Sequence, residues 1–351
     1  MSNISEIEIK HIDHLGIVAG IVDSIGLVEI INEYCGQESG ERISAGQVVK
    51  AMILNGLGFV SSPLYMFSEF FKDKPCEYLI GKGVKAEYLN DDKLGRVLDK
   101  LFIKGLTEIF LAISLNVKEQ FDISSKSSHL DSSSLHLHSE YNNNLPPVIL
   151  NNILNKDNQI KSPQPIEITY GYSRDHRPDL KQFIIELISS GDGDIPIFFE
   201  AASGNKSDSS NFPKIFSKYK EKVKDNDDLM VADAALYNEK NINLLSGMKW
   251  LCRVPLTIGI AKELVSNLLS TDFIPSSLLG YYYCSRTVNY GGIEQRWLVV
   301  ESSERKKSDI KQLEKRISKS KINASNKLKK LLSLKFDSYQ EAVKSVDSLN
   351  S

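Results

Sequence analysis

Two aspartates head the chemistry this sequence could perform. Asp131 stands near the start of a strand-like run, His129-Leu130-Asp131-Ser132-Ser133-Ser134, and Asp233 closes the apolar run Leu229-Met230-Val231-Ala232. A carboxylate emerging from a buried strand is costly to desolvate unless it is paired or binds a cation. Two of them on neighbouring strands would make a hard, oxygen-rich site suited to Mg²⁺ or Mn²⁺. Two such ions about 3.5–4 Å apart can activate a water and stabilise a leaving 3′-oxygen in phosphodiester cleavage. A strand-end aspartate also serves as a helix cap or turn former, and composition alone leaves both roles open.

Two other clusters carry polar chemistry. His136 and His138 form an HxH pair whose alternation along a strand puts both on one face, as zinc ligands would be. Asp131 is an odd number of residues from each and points to the other face, and no third ligand is evident in the sequence. The segment from Tyr170 to Gln182 is dense in polar groups, and Arg174, His176, Arg177 and Lys181 could face a phosphate backbone; the alternative is a surface turn braced by Arg–Asp pairs. No P-loop, GxGxxG or GxSxG motif is present, so nucleotide-binding and hydrolase readings have no support.

The elements that must position these residues fall into three stretches. Residues 1–122 read as a helical domain. Val18 to Tyr34 carries apolar residues at helical spacing, Ser44 and Gln47 form a capping box, and Asn90 or Asp91 caps a helix bearing Leu94, Val97 and Leu101. Residues 123–275 change character. Ser128 to Tyr141 alternates with period two, residues 142 to 165 form an Asn- and Pro-rich break, and Ile166 to Tyr170 reads as a strand. Phe183–Ile188 and Ile195–Glu200 read as a hairpin around Ser190-Gly191-Asp192-Gly193-Asp194. A helix over Phe212–Val223, the strand ending at Asp233, a helix over Asn238–Leu245 and a strand over Trp250–Pro255 follow. Consecutive strands succeeded by helix, strand, helix, strand predict an α/β fold with a mixed sheet. Residues 276–351 hold a hairpin around Gly291-Gly292 and one long basic helix over 303–335. That helix, Lys315 and Arg316 included, is either a solvated face or a phosphate contact working by counterion release.

Composition bounds the rest. The chain has 351 residues, 41% hydrophobic and 25% charged, with net charge −2. It is long enough for two or three domains with sizeable cores. It is not a uniformly basic nucleic-acid binder, so any such surface is local. The four cysteines are scattered with no CxxC pair, which argues against a zinc knuckle or a disulfide framework. No signal core and no run of about 18 apolar residues is present, so the expected setting is the cytoplasm with no membrane partner, which in a prokaryote means access to the nucleoid.

The runs HLDSSSLHLHSEY, EITYGYSRDHRPDLKQF, SGDGDIPIFFEAASGNKSD, LMVADAALYNEKNINLLSG and KWLCRVPLTI together resemble the insertion-sequence DDE transposases. Within them they resemble the insertion-sequence-four superfamily and its branch with a helical N-terminal domain, which the opening HLGIVAGIVDSIGLVEIIN and GQVVKAMILNGLGFVSSPLYMF also resemble. The resemblance spans residues 9 to about 350. It implies an RNase H-like catalytic core after a helical DNA-end-binding domain, with a partial β-rich and helical insertion at the C-terminus. It implies Asp131 and Asp233 as the first two catalytic acids, holding two Mg²⁺ (or Mn²⁺) ions in the complete enzyme. The implied partners are terminal inverted repeats, target DNA and a second copy of the chain. Ser133 stands where the family more often has Thr.

One departure matters. The family's third acid is a Glu in a Tyr-x2-Arg-x3-Glu-x6-Lys signature. Tyr283 and Arg286 have the first spacing, but Tyr290 stands at the Glu position and Trp297 at the Lys position. Glu294, Glu301, Glu304 and Glu314 fall in the insertion. The expectation is a chain truncated before its third acid and inactive alone, or else a DNA-binding remnant or repressor that does not cut.

Overall fold

The structure is a computed structural model, which describes residues 9–124, 126–139, 141, 165–173, 175–206, 208–223 and 228–347. Most of the expected break, 142–164, and Arg174 lie outside the described residues. The chain divides into two compact units, Met1–Val254 and Pro255–Ser351. The first holds two separate apolar clusters, one helical and one built on a sheet.

The helical part runs α1 (Leu15–Ser24), α2 (Leu27–Cys35), α3 (Ala45–Gly56), α4 (Phe67–Lys72), α5 (Cys76–Leu79), α6 (Asp91–Lys104) and α7 (Leu106–Gln120). The single apolar periodicity of Val18–Tyr34 is broken into two helices because Gly26 adopts φ +66°, a conformation that costs glycine little and other residues more. The capping box forms as expected: Ser44 Oγ accepts the Gln47 N–H, and Gln47 Oε1 accepts the Ser44 N–H. Asn90 caps α6 by accepting the Lys93 N–H. Leu15, Val48, Leu54, Phe67, Phe71 and Leu94 are buried together, each contributing about 1.5–3 kcal/mol by leaving water. Lys50 is also buried, and its ammonium donates to Asp23 Oδ1 at 2.6 Å.

The sheet follows. Strands β1 (Ser127–Leu137), β2 (Lys181–Ser190), β3 (Pro196–Ser203), β4 (Leu229–Ala232) and β5 (Trp250–Cys252) pack in the order β3-β2-β1-β4-β5. β1 to β3 are antiparallel neighbours, and β1, β4 and β5 are parallel. The β2–β3 turn has Gly193 at φ +70° and Asp194 at φ +53°, as its Gly- and Asp-rich sequence demands. Helices α8 (Asp208–Lys222) and α9 (Glu239–Leu244) supply the crossovers. Phe212, Ile215, Phe216 and Tyr219 of α8 pack on Leu130, Ile188, Phe198 and Met230 of one sheet face. Helix α7 joins the helical part to the sheet: Ser114 Oγ donates to the Pro196 carbonyl, and the Phe110 and Phe199 rings lie 5.6 Å apart.

The expected strand over Ile166–Tyr170 is reduced to a single bridge, Thr169 with Gln182. The cause is a close chain crossing. A Cβ on Gly171 would come within 1.9 Å of the Gly204 carbonyl oxygen, and one on Gly204 within 2.0 Å of that of Gln182. Glycine lets the segment pass over the sheet end there instead of pairing along it.

The second unit contains α10 (Gly259–Asn267), β6 (Ile274–Pro275), β7 (Tyr281–Tyr290), β8 (Ile293–Ser302), α11 (Ser303–Leu332) and α12 (Tyr339–Asp347). β7 and β8 form the expected hairpin, with Gly291 and Gly292 at φ +63° and +80°. No residue of α11 is buried.

Candidate acidic site and polar loop

Strand register brings the two aspartates together. The parallel β1–β4 ladder ends at Leu130 paired with Ala232. One residue further the same register brings Asp131 of β1 alongside Asp233, the residue that follows β4. Alternation sets their direction. Ser128, Leu130 and Ser132 point into the core, so Asp131 points to the opposite, solvent-facing side. Both carboxylates are exposed, so the desolvation cost expected from the sequence does not arise. Each also has a local role: Asp131 Oδ1 accepts the Ser132 N–H at 2.9 Å, and Asp233 Oδ1 accepts the Ala235 N–H at 2.8 Å, capping a short turn.

The next strand adds to this row. The β4–β5 ladder ends at Ala232 paired with Cys252, so Arg253 stands beside Asp233 one step beyond it. Its guanidinium belongs to an exposed residue at the carboxyl end of a parallel strand, the usual place for ligands of open α/β sheets. Burial, and then the Asp233 charge, push the Cys252 thiol up to about 12, which keeps it protonated and poorly nucleophilic. His129, two residues before Asp131, shares its face and lies 3.1 Å from Ser127 Oγ through Nε2. Neither His129 nor Arg253 stood out in the sequence. Counting by twos from Asp131 would have found the histidine; the arginine needed the β4–β5 register.

Two hard carboxylates open to solvent suit a divalent cation that keeps several waters. Among the described residues, no group of three or more His, Cys, Asp or Glu is placed to hold a metal ion. Tyr283 and Arg286 lie on a strand, β7, and Arg286 pairs with Asp272 at 2.9 Å.

His136 and His138 take another path. His136, on the face opposite Asp131, has Nε2 3.0 Å from Ser173 Oγ and Nδ1 3.6 Å from Asp175 Oδ2. Ser173 Oγ also accepts the Arg177 N–H at 2.9 Å, so one hydroxyl ties the His136 ring to the loop backbone. These groups stand in nucleophile, base and acid order. The 3.6 Å separation is too long for a hydrogen bond, and Asp175 is 73% exposed, so the arrangement braces a loop. The same loop binds its own charges. Arg177 grips Asp179 with two hydrogen bonds, 2.9 and 2.8 Å, and holds that carboxyl down to about 2. The Lys181 ammonium donates to the Tyr141 carbonyl. His176 is exposed at φ +57°. Lys315 and Arg316 are exposed on α11.

No single helix among the described residues is long and apolar enough to cross a membrane. No curated protein and no solved structure matches the chain. Residues 7–115 match the model of a domain of unknown function, DUF4277, a span that takes in α1 to α6 and most of α7 but none of the sheet.

Proposed function

We propose that the chain is a DNA-processing protein of the acidic, metal-dependent type, a transposase whose Asp131 and Asp233 hold a divalent cation. The observation that carries this reading is the parallel β1–β4 register, which sets the two acids side by side facing solvent. The strand order 3-2-1-4-5, antiparallel then parallel, supports an RNase H-like core. The DUF4277 match, to a family commonly found in transposase-like proteins, supports it from the other end of the chain. When bound, the cation would supply an activated water and charge stabilisation at a phosphodiester. The protein's own contribution is to fix the two carboxylates on rigid strands and to offer Arg253 to a phosphate beside them. Terminal inverted repeats and target DNA are the proposed partners, with a second copy of the chain. Lys315 and Arg316 on α11 are proposed to meet phosphates.

A second reading, a DNA-binding protein that does not cut, is favoured by one observation: no third acid joins the pair among the described residues. Labelled DNA incubated with Mn²⁺ separates the two. Nicking by the parent chain that is lost in an Asp131→Asn, Asp233→Asn double variant supports the first reading. Salt-sensitive binding without nicking, the same in both proteins, supports the second.

A further inference from the structure

The helical part carries a cleft of about 580 Å³ far in sequence from the acids, between the end of α4, the start of α5 and the 84–86 segment. Lys10, Lys72, Lys74 and Lys85 line it, Lys72 pairing at 3.5 Å with Glu69 beside it, and the one acid in the lining is Glu77. That acid is turned to the backbone, accepting the Gly83 N–H at 3.1 Å. Lys74 is the best fixed cation, 3.4 Å from Asp13 and 4.9 Å above the Phe70 ring. Lys10 is close to the floor: burial raises the Cys76 thiol, and the Lys10 charge opposes that rise. Tyr78, in the same lining, is 84% exposed. A largely exposed aromatic among lysines is a poor contribution to stability, since it buries little apolar area.

We propose that this cleft binds a single-stranded segment of nucleic acid, with the lysines on its phosphates and the Tyr78 ring stacked on a base. The chemistry selects this ligand. Lysines act as compact point charges without the planar fork that fixes one small anion. Small-molecule sites instead orient their ligand with a few precisely placed polar groups. A lysine-lined groove with a projecting aromatic is how strands are held without sequence preference, because every base has a π face. The chain as a whole is slightly acidic, so the positive charge here is local. The inference rests on the reading of the chain as a DNA-processing protein and adds where, and in what form, it would grip a strand.

The test uses the full chain, EDTA and a fluorescent 20-nucleotide single strand beside its blunt duplex, read by anisotropy across a salt series. Working without divalent metal separates this proposal from the acid pair. Tyr78→Ala is expected to weaken single-strand binding roughly tenfold, with Tyr78→Phe restoring it and duplex binding little changed. A Lys72→Ala, Lys85→Ala double variant is expected to flatten the salt dependence by about 1.4 in log–log slope. All three positions are exposed, so the variants should melt like the parent. Parent-like binding by both the Tyr78→Ala and the double-lysine variants overturns the proposal, even if metal-dependent nicking is found. Failure of the parent to bind a strand overturns it too. Tyr78-dependent binding without nicking sustains it while the cutting reading falls.

Discussion

Two regions of the sheet-bearing part hold charged and polar residues and differ in what those residues touch. In the loop around 173–181, polar groups meet one another within the chain: Arg177 with Asp179, Lys181 with Tyr141, His136 with Ser173. In the row formed by Asp131 within β1, Asp233 just after β4 and Arg253 just after β5, the same kinds of group face solvent. Density of polar residues therefore says little about function. A side chain spent on bracing a loop serves structure, and one held on a rigid strand toward solvent can serve a ligand.

Mutations on the two faces of the sheet give the largest contrast. Phe216→Ala, on the buried face, should cost about 3–5 kcal/mol and lower the melting temperature strongly. Asp131→Asn, on the solvent face, should change stability by no more than about 0.5 kcal/mol in the absence of metal. Denaturant titration measures both, and comparable losses would erase the distinction between the faces. In the loop, His136→Ala should cost about 1–2 kcal/mol, because the Ser173 hydroxyl then loses its hydrogen bond with the ring, and hydrogen exchange at 173–177 should quicken. Unchanged exchange would mean that the histidine does not brace the loop.

Two titrations probe smaller effects. Cys252 should react with thiol reagents far more slowly than an ordinary cysteine at pH 8. Asp233→Asn should quicken it modestly, since burial is the larger cause and the aspartate the smaller. Asp179 should titrate near pH 2 by NMR. Its folded pKa is depressed, so whatever stability the Arg177 pair adds is present above the ordinary carboxylate pKa and is lost as pH falls toward 2. Arg177→Ala should return the midpoint toward the ordinary range, and a midpoint already ordinary in the parent would mean the pair does not persist in solution.

What the sequence made legible was local. The period-two run of β1, the Gly-Asp turn of the β2–β3 hairpin, the four-residue strand ending just before Asp233, the Ser44 capping box and the long basic α11 all carry their signals within a few residues. Boundaries slipped where tertiary contact decided them. Gly26 divides one helical periodicity into two helices, and the Gly171–Gly204 crossing cuts a strand to one bridge. The two aspartates were identifiable as candidates, but their adjacency depended on a parallel pairing between strands about a hundred residues apart. Arg253 beside them, the Ser173 contact of His136 and the lysine cleft arise from the same kind of long-range placement, which no window of sequence contains.

That Asp131 and Asp233 form one cation site is tested most directly by Mn²⁺ binding followed by electron paramagnetic resonance. The expected result is saturable binding by the parent chain that is lost in Asp131→Asn and lost equally in Asp233→Asn, with both variants folded. Binding that survives in both variants, or no saturable binding by the parent, would contradict it.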